Sequence, residues 1–236
     1  EFYYDNIMIN TNVLEAARIH KTQKLVSLLS TCVYPSEPVY PLTEDQFHNG
    51  PPHKSNYGYA YAKRMLDVQS RAYRQQYGCN FITAVPNNLF GENDNYHLED
   101  SHVLPAIVRK MYEAKLFGHN VYLWGDGSAT REFTYSKDVA GALLLLLNDY
   151  NREEPINIGN TLEISIKELA EKIAIKIGFE GKINWDTSMP NGQPRKPSDN
   201  SRFLEDFNME YTNFDTALTN TCKWFIMNYP NVRGVS

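Results

Sequence analysis

The 236-residue chain is poor in several features, and each scarcity removes a class of explanation. It has three cysteines, Cys32, Cys79 and Cys222, odd in number, far apart, and without CxxC or Cys/His spacing. That pattern argues against a disulfide framework and against a bound metal, and it favours a reducing, cytoplasmic compartment. Long apolar runs are also missing. The longest, Val139–Leu147, is far too short to span a bilayer, so no membrane partner is expected. Positive charge is not in excess: 23 Lys and Arg against 28 Asp and Glu give a net charge of −5. No nucleic-acid partner is expected, although a local basic pocket for one phosphate group remains open. There is no signal-peptide pattern and no initiating Met. Glu1 and Phe2 lead almost directly into a helical pattern, which suggests a fragment. Nowhere does a glycine-rich turn join a first strand to a helix, so a phosphate-cradling fingerprint is lacking.

What is present is an ordinary globular composition, with 42% apolar, 13% aromatic and 22% charged residues. The length allows one large domain or two unequal ones. Helical spacing is expected over Asp5–His20, Tyr57–Tyr77, His102–Phe117, Lys137–Asp149, Ser165–Ile177 and Asp215–Tyr229. Short strands are expected at Lys24–Ser30, Asn80–Pro86, Val121–Trp124 and Pro155–Ile158. Ser165 and Glu168 have capping-box spacing, and Gly178 supplies a stop. The Lys137–Asp149 segment reads as a buried helix. Thr31–Asn56, with five prolines, reads as a long loop, as does the polar, Pro-rich Thr187–Ser201. The alternation of β and α predicts an α/β fold with a mostly parallel, doubly wound sheet.

Two short stretches carry residues suited to chemistry. In YAYAK, Tyr59 and Lys63 stand four apart on a helix, so phenol and ammonium share one face. A nearby ammonium favours phenolate and would lower the tyrosine pKa for proton exchange with a hydroxyl or carbonyl. The plainer alternative is a half-buried tyrosine beside a solvated lysine. In STCVYP, Ser30 and Cys32 stand at the end of a strand, where open α/β sheets bind their ligands. Ser30 could hold a carbonyl oxygen, and Cys32 could act as acid or base if its pKa were lowered. The plainer alternative there is a turn with an inert cysteine. The combination of a strand-end serine, a long loop and a YxxxK helix favours the chemical reading over the plain one.

These stretches resemble the extended short-chain dehydrogenase/reductases, and within them the enzymes that epimerise GDP-4-keto-6-deoxy-D-mannose at C3 and C5 and then reduce it at C4. The matching segments are STCVYP (30–35), HNGPPHKSNYGYAYAKRMLDVQ (48–69), QQYGC (75–79), PNNLFGENDNYH (86–97), SHVLPA (101–106), WGDGSATREF (124–133) and PNGQPRK (190–196). The resemblance implies a Rossmann-like doubly wound parallel sheet whose N-terminal, glycine-rich part is missing, with a smaller C-terminal α/β substrate-binding domain. It implies a truncated dinucleotide-binding domain over 1–150, of which 90–125 contribute to the substrate domain, and a substrate-binding domain over 151–236.

Residue by residue, the resemblance implies that Ser30, Tyr59 and Lys63 form the reductase triad. Tyr59 would protonate the C4 alkoxide as NADPH delivers hydride, Lys63 would lower the Tyr59 pKa and bind the nicotinamide ribose, and Ser30 would polarise the C4 ketone. Cys32 and His102 would be the epimerase acid/base pair, because a C4 ketone acidifies the protons at C3 and C5. Pro86, Asn87, Asn88 and Leu89, with His102, would line the nicotinamide end of NADP. Lys110, Trp124, Arg131, Asn191 and Lys196 would contact the sugar nucleotide, Asn191 standing where some relatives carry Asp. The helices at 5–20 and 57–77 would pair into a homodimer interface. Without the resemblance, His102 would read as a helix-start histidine and Trp124 equally well as a core aromatic. A simple sugar-nucleotide 4-reductase or 4-epimerase, or a non-catalytic relative that keeps the fold, are the alternatives. The former needs no Cys32/His102 pair, and the latter has no reason to keep all five catalytic residues.

Overall fold

In this computed structural model residues 2–235 are described, and Glu1 and Ser236 lie outside them. The chain begins with α1 (Phe2–Ile19), β1 (Leu25–Leu28), α2 (Tyr57–Tyr77), β2 (Phe81–Pro86) and β3 (Asn88–Phe90). It continues through α3 (Val103–Phe117), β4 (Val121–Trp124), β5 (Thr130–Tyr135), α4 (Ser136–Asp149) and β6 (Ile156–Ile158). The last elements are β7 (Glu163–Ser165), α5 (Ile166–Ile177), β8 (Ile183–Asp186), α6 (Ser201–Asp206) and α7 (Phe214–Asn228). The chain divides into two units: Glu1–Asn87, Asp138–Thr161 and Pro197–Glu210 form the first, and Asn88–Lys137, Leu162–Lys196 and Tyr211–Ser236 the second.

The first unit is built on the parallel sheet β1-β2-β6. Its middle strand, FITAVP, is buried at every position, as a strand covered on both faces must be. Leu66 of α2 joins Leu14 of α1 and Phe81 and Val85 of β2 in one apolar core. Gly78 ends α2 at φ 68°, a left-handed conformation that glycine adopts without a Cβ penalty. The segment 31–56 is more ordered than its proline content predicts. Three 3₁₀ turns, at Thr31–Val33, Glu44–Gln46 and Lys54–Asn56, punctuate it, and Val33, Tyr34, Leu42 and Phe47 drop their side chains into the core. Only one face of α4 is buried, through Val139, Ala142 and Leu146. Leu144 and Leu147 are exposed, so this helix is amphipathic where a fully buried one was expected.

The second unit contains the sheet β3-β5-β7, parallel then antiparallel, and the parallel pair β4-β8. Helices α3, α5 and α7 pack together over a core that includes Leu104, Met111, Leu169, Ile173, Leu218 and Phe225. The N-cap half of the box forms: Ser165 Oγ accepts from the Glu168 N–H at 3.0 Å, worth about 1 kcal/mol of helix stability. Along β4 the side chains alternate, with Val121 and Leu123 buried and Tyr122 and Trp124 exposed, as a half-covered strand dictates. Among the described residues, no helix is long and apolar enough to cross a membrane.

Candidate active site

In the first unit the site grows from the carboxyl end of β1. Here the chain leaves the sheet through Leu29 and turns into the 3₁₀ segment 31–33. Ser30 caps that turn from an extended backbone (φ −158°), its Oγ accepting from the Cys32 N–H at 3.3 Å. The same hydroxyl lies near the phenol of Tyr59 on α2 and favours its charged form. Ser30 therefore stands between the turn that carries Cys32 and the helix that carries Tyr59 and Lys63. Asn56, immediately before α2, donates its side-chain amide to Cys32 Sγ at 3.5 Å. One turn beyond Tyr59, Lys63 places Nζ 5.9 Å from the phenol ring centroid and donates to the Leu28 carbonyl at 3.0 Å.

The electrostatics differ from the sequence expectation in one respect. The Tyr59 pKa lies above its ordinary value, where a neighbouring Lys63 had been expected to lower it. Burial is the main cause and the proximity of Cys32 adds to it, while the nearby Ser30 hydroxyl pulls the other way. Burial also lowers the Lys63 pKa, the direction expected of a desolvated ammonium. The phenol is thus held as a proton donor at neutral pH.

Pro86 ends β2 in register with Ile158 of β6. Asn87 is buried and donates to the Asn160 carbonyl at 2.9 Å. In the second unit, Asn88 and Leu89 open β3, and Asn88 donates to the Glu132 carbonyl at 2.7 Å.

The second unit has its own cleft, of about 540 Å³, in which Lys110 and Trp124 come together with Leu98, Glu99, Ser101 and Ile107. Trp124 is 62% exposed, so it is a surface platform and not a core aromatic. The half-buried Lys110 has its pKa lowered by burial. His102 caps α3 with an extended backbone, its side chain exposed and making no capping bond. Asp94, in the same unit, is pushed to a higher pKa by burial. The Asn95 N–H opposes that shift, as do the nearby His102 and Arg233.

Arg131, Asn191 and Lys196 do not line this cleft. Arg131 donates from Nη1 to the carbonyls of Thr130 and Gln193, each at 2.7 Å, and so anchors the 187–196 loop. Asn191 Oδ1 accepts from the Asp126 N–H at 2.8 Å. Gly125 is required there: at φ 75° any Cβ would come within 1.9 Å of that oxygen. Lys196 is half-buried in the second unit.

Comparison with known proteins decides the family. The profile of the NAD dependent epimerase/dehydratase family matches residues 1–159. The chain belongs to that family. Among curated relatives of the epimerase/dehydratase chain, a GDP-L-fucose synthase from Dictyostelium discoideum is 42% identical over 99% of this chain and 74% of its own length. A crystal structure of a GDP-L-fucose synthetase from Naegleria fowleri bound to NADP superposes with a TM-score of 0.95 at 40% identity, covering 98% of this chain and 74% of that one. A GDP-6-OMe-4-keto-L-xylo-heptose reductase from C. jejuni gives a TM-score of 0.89 at 27% identity, covering 96% of this chain and 77% of that one. The α/β fold with parallel strands expected from the sequence is the fold these structures share.

Three contributions escaped the sequence reading: Asn56 on the thiol, Arg64 beneath the Cys32 turn, and Ser101 beside Lys110 in the cleft. Only the cleft left a signal. Val103, Ala106, Ile107 and Lys110 stand at i, i+3, i+4 and i+7, one face of α3.

Proposed function

We propose that this chain carries the catalytic machinery of a GDP-L-fucose synthase, epimerising GDP-4-keto-6-deoxy-D-mannose at C3 and C5 and then reducing it at C4. One observation carries the assignment: the Ser30 hydroxyl accepts from the turn holding Cys32 and lies near the Tyr59 phenol, so a proton donor and a thiol stand around one serine. A C4 ketone oxygen accepting hydrogen bonds from Ser30 and Tyr59 gains electron-withdrawing power. That acidifies the neighbouring C–H bonds at C3 and C5. Cys32 removes a proton from each carbon in turn, the enolate charge resting on the held oxygen, and His102 returns a proton on the opposite face. Tyr59, kept protonated by burial, then gives its proton to the C4 oxygen as that carbon is reduced.

The donor set at the end of β1 fits the nicotinamide riboside of NADPH. Lys63 spends one of its three N–H groups on Leu28, leaving others for ribose hydroxyls, and the family resemblance assigns Pro86, Asn87, Asn88, Leu89 and His102 to the same cofactor. When bound, NADPH supplies the hydride. Trp124 offers a face on which a base can stack and Lys110 a desolvated cation for the diphosphate. Arg131, Asn191 and Lys196 shape the adjoining loop toward the sugar. In domain terms, residues 1–150 are mainly dinucleotide-binding, with 90–125 serving the substrate, and 151–236 are substrate-binding. A cytoplasmic location accords with three free cysteines.

The same reading includes a homodimer. Met8, Ile9 and Val13 of α1 and Met65 and Val68 of α2, a packed helix pair, leave apolar side chains in solvent. Val13→Glu should convert the dimer to monomer in sedimentation, and a wild type that sediments as a monomer refutes it.

The C. jejuni likeness favours a second reading, a 4-reductase without epimerisation. Incubating the complete protein with GDP-4-keto-6-deoxy-D-mannose and NADPH separates the two. GDP-L-fucose as product supports the bifunctional enzyme, a C4-reduced sugar with unchanged C3 and C5 supports the reductase, and no turnover refutes both.

A further inference from the structure

Arg64 follows Lys63 on α2 and is only 6% exposed, yet among the described residues no carboxylate pairs with it. Its guanidinium instead converges on one acceptor. Nε and Nη2 donate to the carbonyl of Val33 at 2.8 and 2.6 Å. Tyr61 lies under the guanidinium, 5.5 Å to the ring centroid, and burial lowers the Arg64 pKa. Sequestering an arginine without a counter-charge is costly, and an apolar side chain of similar length would pack there at less expense. Val33 closes the 3₁₀ turn whose middle residue is Cys32. Arg64 therefore ties the Cys32 turn to the helix that presents Tyr59 and Lys63.

We propose that Arg64 is a positioning residue for epimerisation: it fixes the Cys32 turn against α2, so that the thiol keeps one separation from the carbonyl held by Ser30 and Tyr59. This rests on the assignment of Cys32 to proton transfer at C3 and C5. Reduction needs only Ser30, Tyr59 and Lys63, whose mutual geometry comes from β1 and α2 themselves. Loss of Arg64 should then separate the two activities.

The test uses Arg64→Met and Arg64→Lys in the complete protein, with two rates measured on each. Deuterium entry at C3 and C5 of GDP-4-keto-6-deoxy-D-mannose in heavy water reports epimerisation. Oxidation of GDP-L-fucose by NADP, assayed at alkaline pH so that the reacting fraction carries Tyr59 as phenolate, reports the C4 step alone, hydride passing to NADP and the hydroxyl proton to the Tyr59 phenolate. Arg64→Met should slow exchange by about 10- to 100-fold, the cost of displacing a reacting group by about an ångström, while C4 oxidation changes less than about 3-fold. Arg64→Lys keeps one donor for Val33 but loses the second, and should leave a smaller exchange defect of about 3- to 10-fold that is still selective. Equal loss of both rates, or no loss of either, overturns the proposal. If Arg64→Met does not fold, Arg64→Lys decides alone: a selective exchange defect supports the role, and a parallel or absent one refutes it. Cys32→Ser is the control for the underlying assignment. Exchange that survives Cys32→Ser removes the role of Cys32 whatever Arg64 does.

Discussion

The hydroxyl of Tyr34, two residues beyond Cys32, donates to Asn157 Oδ1 at 2.6 Å inside the first unit. Asn157 is 1% exposed, and its amide nitrogen donates onward to the carbonyls of Leu42 and Asp199, both at 2.9 Å. Tyr34→Phe deletes the donor and strands Asn157 Oδ1, a loss of about 1–3 kcal/mol for a buried unsatisfied acceptor. Asn157→Ala strands the Tyr34 hydroxyl and withdraws a donor from Asp199. Leu42 suffers less, because its carbonyl also accepts from the Asp199 N–H at 3.0 Å. Asn157→Ala should therefore cost about 2–4 kcal/mol, including the small void left by the amide. Neither penalty of the shared bond recurs in the double variant, since both partners are then gone. The sum of the single losses should exceed the double loss by about 1 kcal/mol or more. Urea denaturation of the four proteins measures this cycle. Additivity within about 0.5 kcal/mol would refute the claim that this bond joins the 31–34 segment to β6.

Two further outcomes follow from charge and burial. Glu44 is 7% exposed and burial raises its pKa above the ordinary 4.5, although it accepts from the Asn157 N–H and lies near Arg202. A carboxyl whose folded pKa is raised stabilises the fold fully below the unfolded value and loses that contribution as pH climbs through the folded one. The stability of wild type minus that of Glu44→Gln should accordingly fall as pH rises from 4.5, and a flat or rising difference in urea titrations contradicts it. Lys110→Met should raise KM for the sugar nucleotide by about 10-fold or more, the worth of a hydrogen bond to a charged group, with little change in kcat. An unchanged KM would take Lys110 out of the binding site.

Much of this was legible in local pattern. The limits of α2 and β4 agree with the periodicity, and Ser165 caps its helix through the Glu168 N–H as the spacing expects. Strands β3, β5, β7 and β8 were not anticipated. They are short, polar or charged, and defined by their ladder partners more than by any alternation of their own. The 31–56 segment looked like a loop because proline, lacking an N–H, interrupts helices and ladders, but that says nothing of packing, and Val33, Tyr34 and Phe47 are fixed by burial. An apolar run on α4 gave no sign that Leu144 and Leu147 would face solvent. The two compact units each draw on three separate segments of the chain, an interleaving that local pattern does not display.

The site divides along the same line. Ser30, Cys32, Tyr59 and Lys63 were singled out by a strand end and YxxxK spacing, and their proposed roles came with the family resemblance. Arg64 was overlooked because a buried guanidinium and a solvated one read alike until the Val33 carbonyl is seen above it. The direction of the Tyr59 shift went the other way for a related reason. Helical spacing places Lys63 beside the ring, but how deeply both groups are buried is a property of the packed fold.

The most direct measurement follows hydrogen at carbon. The complete protein, incubated with GDP-4-keto-6-deoxy-D-mannose and NADPH in heavy water, should consume NADPH and yield product with deuterium at both C3 and C5, and Cys32→Ser should abolish that label. Consumption of NADPH with no deuterium at either carbon would contradict the account, leaving a simple 4-reductase in which Cys32 and His102 carry no proton.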